Sequence, residues 1–205
     1  MKIALAILAI LLVIGLLVGS AFVSRRNQMA VKREAVNAAW SQVDVVLQRR
    51  ADLIPNLVKT VKGYANQEQQ VLIGVTEARA KAAGSIQLTP ELLNNPDAFA
   101  KFQAAQGQLS ASLKSLFAVT EAYPDLKSNE NFRDLQSQLE GTENRITIAR
   151  QRYIDTVRGF NTTVRSFPTN LTAKMFDFEV KPNFTVANEA DISNAPKVDF
   201  SGDGK

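Results

Sequence analysis

The densest group of polar side chains that could do chemistry lies in residues 139–145, LEGTENR, within a stretch of helical periodicity. Glu140, Glu143 and Asn144 stand three or four residues apart, so a helix places them on one face, and Arg145 follows directly. Two carboxylates on one face can serve as general acid and base, or as oxygen ligands for a metal ion. Such residues more often form salt bridges with a neighbouring helix, for which the candidate partners are Arg49, Arg50 and Arg79.

The chain contains no histidine and no cysteine. This composition excludes thiol nucleophiles, zinc sites built from thiolate or imidazole, haem ligation through histidine, and every triad that uses imidazole as its base. Chemistry by carboxylate, lysine or tyrosine remains open, as does a site for magnesium or calcium. No catalytic motif is recognisable, and we expect a protein that is not an enzyme and has no cofactor and no metal.

A second polar group surrounds the only tryptophan, Trp40. One interpretation is a core tryptophan with charges that are solvated or bridge the helices of a bundle. The other is a docking surface near a membrane, formed by Asp44, Arg49, Arg50 and Asp52. The same two interpretations apply to Glu77 and Arg79.

The elements that position these groups begin with an apolar run of 21 residues at positions 3–23, which contains no charge, Asn or Gln. As a helix it is ~32 Å long, close to the hydrocarbon thickness of a bilayer. A cleaved secretory signal would have a shorter apolar core and a small-x-small cleavage site, and a buried core helix is the remaining alternative. We predict a retained single-pass transmembrane helix, with the flanking basic residues Lys2, Arg25 and Arg26.

The formal net charge is +4, from 24 basic and 20 acidic residues. Three of the basic residues flank the apolar run, so the remainder is nearly balanced, and we expect no nucleic-acid partner. More basic residues follow the run than precede it, and the positive-inside rule then predicts a cytoplasmic C-terminal domain. The basic residues on the C-terminal side of the run are Arg25, Arg26, Lys32 and Arg33, whereas the N-terminal side has Lys2.

Beyond the run, apolar residues at alternating steps of three and four predict a long amphipathic helix from Met29 to about residue 83. Pro55 lacks an N–H and clashes with the carbonyl of Ala51, so we expect a kink or short break there. A loop follows at residues 84–97, with one helical turn possible at residues 89–91.

A second helix of about 25 residues is expected to end near Tyr123, and a third, capped by Ser128 or Asn129, before Phe167. A short helix is a further expectation at residues 170–176. The predicted organisation is a transmembrane anchor with basic flank at 1–26, a helical bundle domain at 27–178 and an extended or disordered tail at 179–205. The alternative for the tail is an arm that lies on the bundle through Phe176, Phe178 and Phe184.

Four segments of the chain resemble the LemA family of bacterial membrane proteins, in the order of that family. They are residues 34–65 (EAVNAAWSQVDVVLQRRADLIPNLVKTVKGYA), 123–153 (YPDLKSNENFRDLQSQLEGTENRITIARQRY), 160–184 (FNTTVRSFPTNLTAKMFDFEVKPNF) and 195–200 (APKVDF). The resemblance implies an all-α protein, with an N-terminal transmembrane helix followed by an antiparallel bundle of long helices, in the bacterial cytoplasmic membrane. It implies no catalytic residues.

Two functions fit these features. The first is a non-enzymatic, membrane-anchored scaffold or interaction protein of the cell envelope, whose partners are the lipid bilayer and another envelope protein, with homo-oligomers possible. The alternative is a ligand-binding, metal-binding or enzymatic site based on carboxylates and centred on Glu140 and Glu143.

Overall fold

The computed structural model describes residues 2–65, 68–86 and 92–185. The described residues contain no strand, and the predicted all-α architecture is confirmed. The helices are α1 (Lys2–Tyr64), α2 (Gln69–Ile86), α3 (Pro96–Thr120), α4 (Pro124–Ser128), α5 (Glu130–Arg165) and α6 (Thr169–Met175). The helical turn expected at residues 89–91 lies outside the described residues.

Helix α1 is continuous from Lys2 to Tyr64 and passes through Pro55 without ending. The expectation of one apolar stripe on one helix to residue 83 was wrong, because α1 ends at Tyr64 and α2 begins at Gln69. A repeat of three and four residues is satisfied equally by one long helix and by two helices that each turn the same kind of face inward. Periodicity therefore did not detect this turn, which has no proline to mark it.

The apolar run forms the first part of α1, and its side chains are exposed or half-buried. By length and composition this segment can cross a membrane. The same helix continues into the bundle with no intervening loop. The orientation of the span is therefore coupled to that of the bundle through continuous helical backbone.

Two core clusters follow one another along the bundle, and they show that α5 runs antiparallel to α1. In the first cluster, residues 29–47 of α1 pack with residues 146–164 of α5. In the second, residues 54–61 of α1 pack with Phe132 and Leu139, which lie earlier in α5. Helix α3 contributes to both clusters, and α2 packs between α1 and α3 in the second. The core is a bundle of long helices joined by short connections.

Asparagine side chains begin the two long helices that follow α2. The Oδ1 atom of Asn95 accepts hydrogen bonds from the amides of Asp97 and Ala98, and Asn129 Oδ1 accepts from the amide of Phe132. These contacts satisfy amide groups that have no partner in the first turn of a helix. The cap predicted at Ser128 or Asn129 is formed by Asn129. The segment before it forms the single turn of α4.

After α6 the chain reverses at Asp177, whose φ of 52° lies in the left-handed region that aspartate tolerates better than most residues. Residues 178–185, which are neither helix nor strand, then lie on the bundle. The backbone of Lys181 forms two hydrogen bonds of 2.8 Å with the Asn161 side chain: its N–H donates to Oδ1, and its carbonyl accepts from Nδ2. The Tyr153 hydroxyl donates to the carbonyl of Pro182 at 3.0 Å. We call residues 177–185 the arm; residues 186–205 lie outside the described part of the chain.

Candidate functional site

A charged side chain lies at the centre of the bundle, where the two core clusters meet. Arg50 is only 1% exposed and follows Leu47 of the first cluster on α1, with Ile54 of the second cluster one turn later. Its Nη1 atom donates to Glu143 Oε1 at 2.9 Å and to Ser110 Oγ at 3.0 Å. Its Nη2 atom donates to Gln106 Oε1. A buried arginine is tolerable because these acceptors replace the water that it has lost.

The network extends to a fourth helix through Gln106. The Nε2 atom of Gln106 donates to the carbonyl of Ala82 in α2 at 3.2 Å. Arg50 in α1, Gln106 and Ser110 in α3 and Glu143 in α5 complete the set. Such a network favours this set of neighbouring helices, since separating them would leave the buried Arg50 Nη atoms and Gln106 without these partners.

Of the three arginines considered as partners for Glu143, the structure pairs it with Arg50. Arg50 is therefore buried and cannot belong to an exposed docking surface, and the expectation that included it in one needs correction. A surface position was expected because charge usually marks a solvated helix face, whereas here the acceptors of α3 and α5 solvate the guanidinium inside the bundle.

Glu140, Glu143 and Asn144 line one groove of about 320 Å³ between α3 and α5, together with Lys114. Glu140 accepts a hydrogen bond of 3.0 Å from Gln136 of its own helix, while Glu143 is paired with Arg50. Within the described ranges, no three carboxylates are grouped so as to hold a metal ion. The two glutamates thus share a groove, but each already has a protein partner.

The remaining predicted residues differ in burial and in their contacts. Asp44 accepts a hydrogen bond of 3.0 Å from Gln48, and Arg79 donates to the carbonyl of Ala51. Arg49, Asp52 and Glu77 are exposed. Near the apolar run, Lys2 is exposed, Arg25 is half-buried, and the Arg26 guanidinium lies 5.4 Å from the ring centroid of Phe176.

The structure also shows a groove that the sequence pattern did not single out. Between α1 and α5 lies an apolar depression of about 550 Å³ whose floor contains Val45, Val46, Ile148 and Ala149. Ser41, Gln42, Arg145 and Arg152 complete its lining, which contains no acidic side chain. We call these eight residues the α1–α5 groove. Val45 and Ile148 are exposed apolar residues that fall outside the core stripes, and this was the available sequence signal.

On another side of α1 and α5, four aromatic rings pack around Trp40. The Trp40 centroid lies 5.3 Å from that of Phe102 and 5.4 Å from that of Tyr153, and Phe184 of the arm packs on Phe99 at 5.0 Å. Burial raises the pKa of the Tyr153 hydroxyl well above its ordinary value. The half-buried Trp40 is therefore a packing residue that joins α1, α3, α5 and the arm.

Arg150 is a further partly buried cation that the sequence pattern did not single out. Burial lowers the pKa of its guanidinium, the charge of Arg50 lowers it further, and Glu143 acts in the opposite direction. Its Cζ atom lies 5.0 Å from the ring centroid of Phe184, a distance typical of a cation–π contact. Arg150 thus packs from α5 against Phe184 of the arm.

The sequence is similar to those of known proteins. The model of the LemA family matches residues 39–200. Magnetosome protein MamQ 2 of Paramagnetospirillum magneticum is 26% identical, with 82% of this chain and 69% of that protein covered. Magnetosome protein MamQ of Magnetospirillum gryphiswaldense is 23% identical, with 76% and 62% covered. Protein LemA of Metamycoplasma hominis is 22% identical, with 76% and 67% covered.

Proposed function

This chain belongs to the LemA family, and we propose that it is a non-enzymatic, membrane-anchored scaffold of the bacterial cell envelope. In this proposal the α1–α5 groove binds an amphipathic helix of another envelope protein. The observation that supports it is the combination of an apolar floor with a rim whose only charged side chains, among the groove's lining, are Arg145 and Arg152.

The shape of the groove favours a helix as the partner. Two antiparallel helices leave a groove between them that a third helix can fill with one apolar stripe. The basic rim adds charge selection, because carboxylates beside that stripe would face Arg145 and Arg152. The expected partner segment is therefore an amphipathic helix whose apolar face is bordered by aspartate or glutamate.

The continuity of α1 supports the scaffold function. Val45 in the groove follows Val23 at the end of the apolar run by 22 helical residues, which corresponds to ~33 Å. No hinge separates them, so the groove is held at a set height above the membrane. A partner bound there would be positioned relative to the bilayer as well as to this protein.

The carboxylate alternative has weaker support. Glu143 already neutralises Arg50, and its loss would leave a buried guanidinium without its anionic partner. Glu140 lies in the same groove and has a partner on its own helix. Both contacts favour a structural role for this pair.

The test places a photo-crosslinking amino acid at Ile148 of the full-length chain in its native membrane, with Ile73 on α2 as a matched exposed apolar control. We expect Ile148 to form an adduct with an envelope protein at an acidic amphipathic helix. Arg145→Glu with Arg152→Glu should abolish the adduct, whereas Arg133→Glu with Arg158→Glu, exposed elsewhere on α5, should preserve it.

Adducts of equal yield at Ile73 and Ile148, or adducts that persist after the groove charges are reversed, would overturn the docking proposal. A crosslink only to a second copy of this chain would replace the foreign partner with self-association. Glu140→Gln with Glu143→Gln should leave the adduct intact; its loss, with the fold retained, would favour the carboxylate site.

We also propose that α1 spans the cytoplasmic membrane with the bundle on the cytoplasmic side, on the basis of the positive-inside rule. The chain has no thiol, so Ser137→Cys on the exposed face of α5 provides a single probe. In intact spheroplasts this cysteine should resist a membrane-impermeant maleimide and become labelled only after lysis. Labelling before lysis would place the bundle outside.

A further inference from the structure

Helix α6 and the turn before it have large apolar side chains on their outer surface. Phe167 is 79% exposed, Leu171 51% and Met175 67%, and they follow one another at intervals of four residues. Phe176 is exposed as well. Leu171 and Met175 are four residues apart and lie on one side of α6, while Phe167 precedes the helix and Phe176 directly follows it. We call these four exposed residues the α6 apolar face.

The inner surface of α6 has the opposite character. The residues that it buries against the bundle are Thr172 and Ala173, both small. A helix that lies between a core and water normally turns its largest apolar residues inward. In α6 the largest apolar residues point outward, which indicates that the outer side also meets an apolar medium.

Two contacts locate the α6 apolar face near the end of the apolar run. Arg26, whose guanidinium lies 5.4 Å from the Phe176 ring centroid, is three residues beyond Val23, or ~4.5 Å along the helix. Farther along α1, Lys32 donates to Thr163 Oγ1 at 2.6 Å, so the end of α5 is directed toward the same region. With the run inside a bilayer, this face lies at the depth of the lipid headgroups.

The charges around the α6 apolar face match an anionic surface. Arg165 and Lys174 are exposed close to it in sequence, and Arg26 of α1 lies over the Phe176 ring. Residues 165–176 include two basic side chains and no acidic one, and the acidic Asp177 and Glu179 follow Phe176. Apolar groups at the acyl boundary combined with lysine and arginine near the headgroups are typical of helices that lie in the membrane interface.

We propose that the α6 apolar face inserts into the interface of an anionic phospholipid bilayer and gives the bundle a second membrane contact beside α1. This inference rests on the proposed membrane span. Because α6 packs on both α1 and α5, the contact restricts tilt and rotation of the bundle about α1. It thereby sets which way the α1–α5 groove faces relative to the membrane.

The test uses the full-length chain in vesicles of phosphatidylcholine with about 30% phosphatidylglycerol. Three single-cysteine variants, Leu171→Cys, Ile73→Cys and Val23→Cys, each receive an environment-sensitive fluorophore. The wild-type side chains at these positions are 51%, 54% and 58% exposed, so the sites are matched. A nitroxide-labelled lipid then quenches fluorophores that touch the bilayer.

We expect strong quenching at residues 171 and 23, about threefold or more above that at residue 73, which is on α2. Met175→Glu and Phe167→Glu, added to the Leu171→Cys variant, should lower quenching at residue 171. The same two changes in the Val23→Cys variant should leave quenching at residue 23 unchanged. Pure phosphatidylcholine should also reduce quenching at residue 171.

Quenching at residue 23 without quenching at residue 171 would overturn the second contact while leaving the membrane span intact. Quenching at neither residue would overturn the span and the inference together. Equal quenching at residues 73 and 171 would show nonspecific adsorption of the bundle and would also overturn the inference.

Discussion

The Nε atom of Arg79 lies 2.6 Å from the carbonyl oxygen of Ala51 and donates a hydrogen bond to it. Ala51 is the residue whose carbonyl would accept from position 55 in a regular helix, and Pro55 has no N–H to give. Arg79 of α2 therefore supplies the donor that proline removes from α1. This contact explains how α1 passes through Pro55 without ending.

Replacing Arg79 with alanine should lower the free energy of unfolding by about 1.5–3 kcal/mol, because the buried carbonyl loses a charged donor. In a Pro55→Ala background the new amide can donate to Ala51, and the cost of the same change should fall below about 1 kcal/mol. Urea unfolding followed by circular dichroism measures both. Equal costs in the two backgrounds would show that Arg79 does not compensate for the proline.

Arg50→Ala should destabilise the bundle by about 2–4 kcal/mol, since it leaves the buried Gln106 without this donor and a cavity where a large side chain was buried. The neighbouring Arg49→Ala is the matched control and should change stability by less than about 0.5 kcal/mol, because Arg49 is exposed. Arg50→Lys should recover little of the stability lost in Arg50→Ala, because an ammonium group cannot reproduce the planar guanidinium fork. A lysine variant as stable as the wild type would contradict the network.

The stability of the protein should fall as pH rises above about 10. The folded state raises the pKa of Tyr153 through burial, so above the ordinary value of 10.0 it retains a proton that the unfolded chain releases. Tyr153→Phe removes this difference. Near neutral pH, Tyr153→Phe should lower the free energy of unfolding by only about 0.5–1.5 kcal/mol, because it removes the hydrogen bond to the carbonyl of Pro182.

Urea unfolding from about pH 8 to 11 should therefore show a shallower alkaline loss in Tyr153→Phe than in the wild type. Part of the loss should remain, because a hydrogen bond to Glu68 raises the pKa of Tyr123 as well. An unchanged slope would mean that Tyr153 does not titrate from a buried position.

Phe184→Ala should release the arm from the bundle, because Phe184 packs with Trp40 and three further aromatic rings. Trp40 is the only tryptophan, so its emission should shift to longer wavelength as water reaches the indole. Phe176→Ala is the matched control, since that exposed ring lies against Arg26, away from the aromatic cluster around Trp40. A shift of equal size in both variants would argue against arm docking at Trp40.

Much of the fold could be predicted from the sequence, because helices and their ends are set by neighbours a few residues apart. Apolar spacing predicted α3, α5 and the apolar run of α1, and the position of Asn129 before a periodic segment predicted a cap. The absence of histidine and cysteine restricts the available chemistry through composition alone. These features depend on local geometry and on residue types, and both can be read along the chain.

The pairing of faces required the tertiary structure. Arg50 and Glu143 are 93 residues apart, and nothing in their local patterns distinguished Arg50 from Arg49 as the buried partner. The turn after Tyr64 was missed because two helices can share the repeat of one. The α1–α5 groove and the α6 apolar face exist only after packing has decided which apolar residues are covered. Local sequence determines which residues can form a helix, whereas burial depends on contacts between segments distant along the chain.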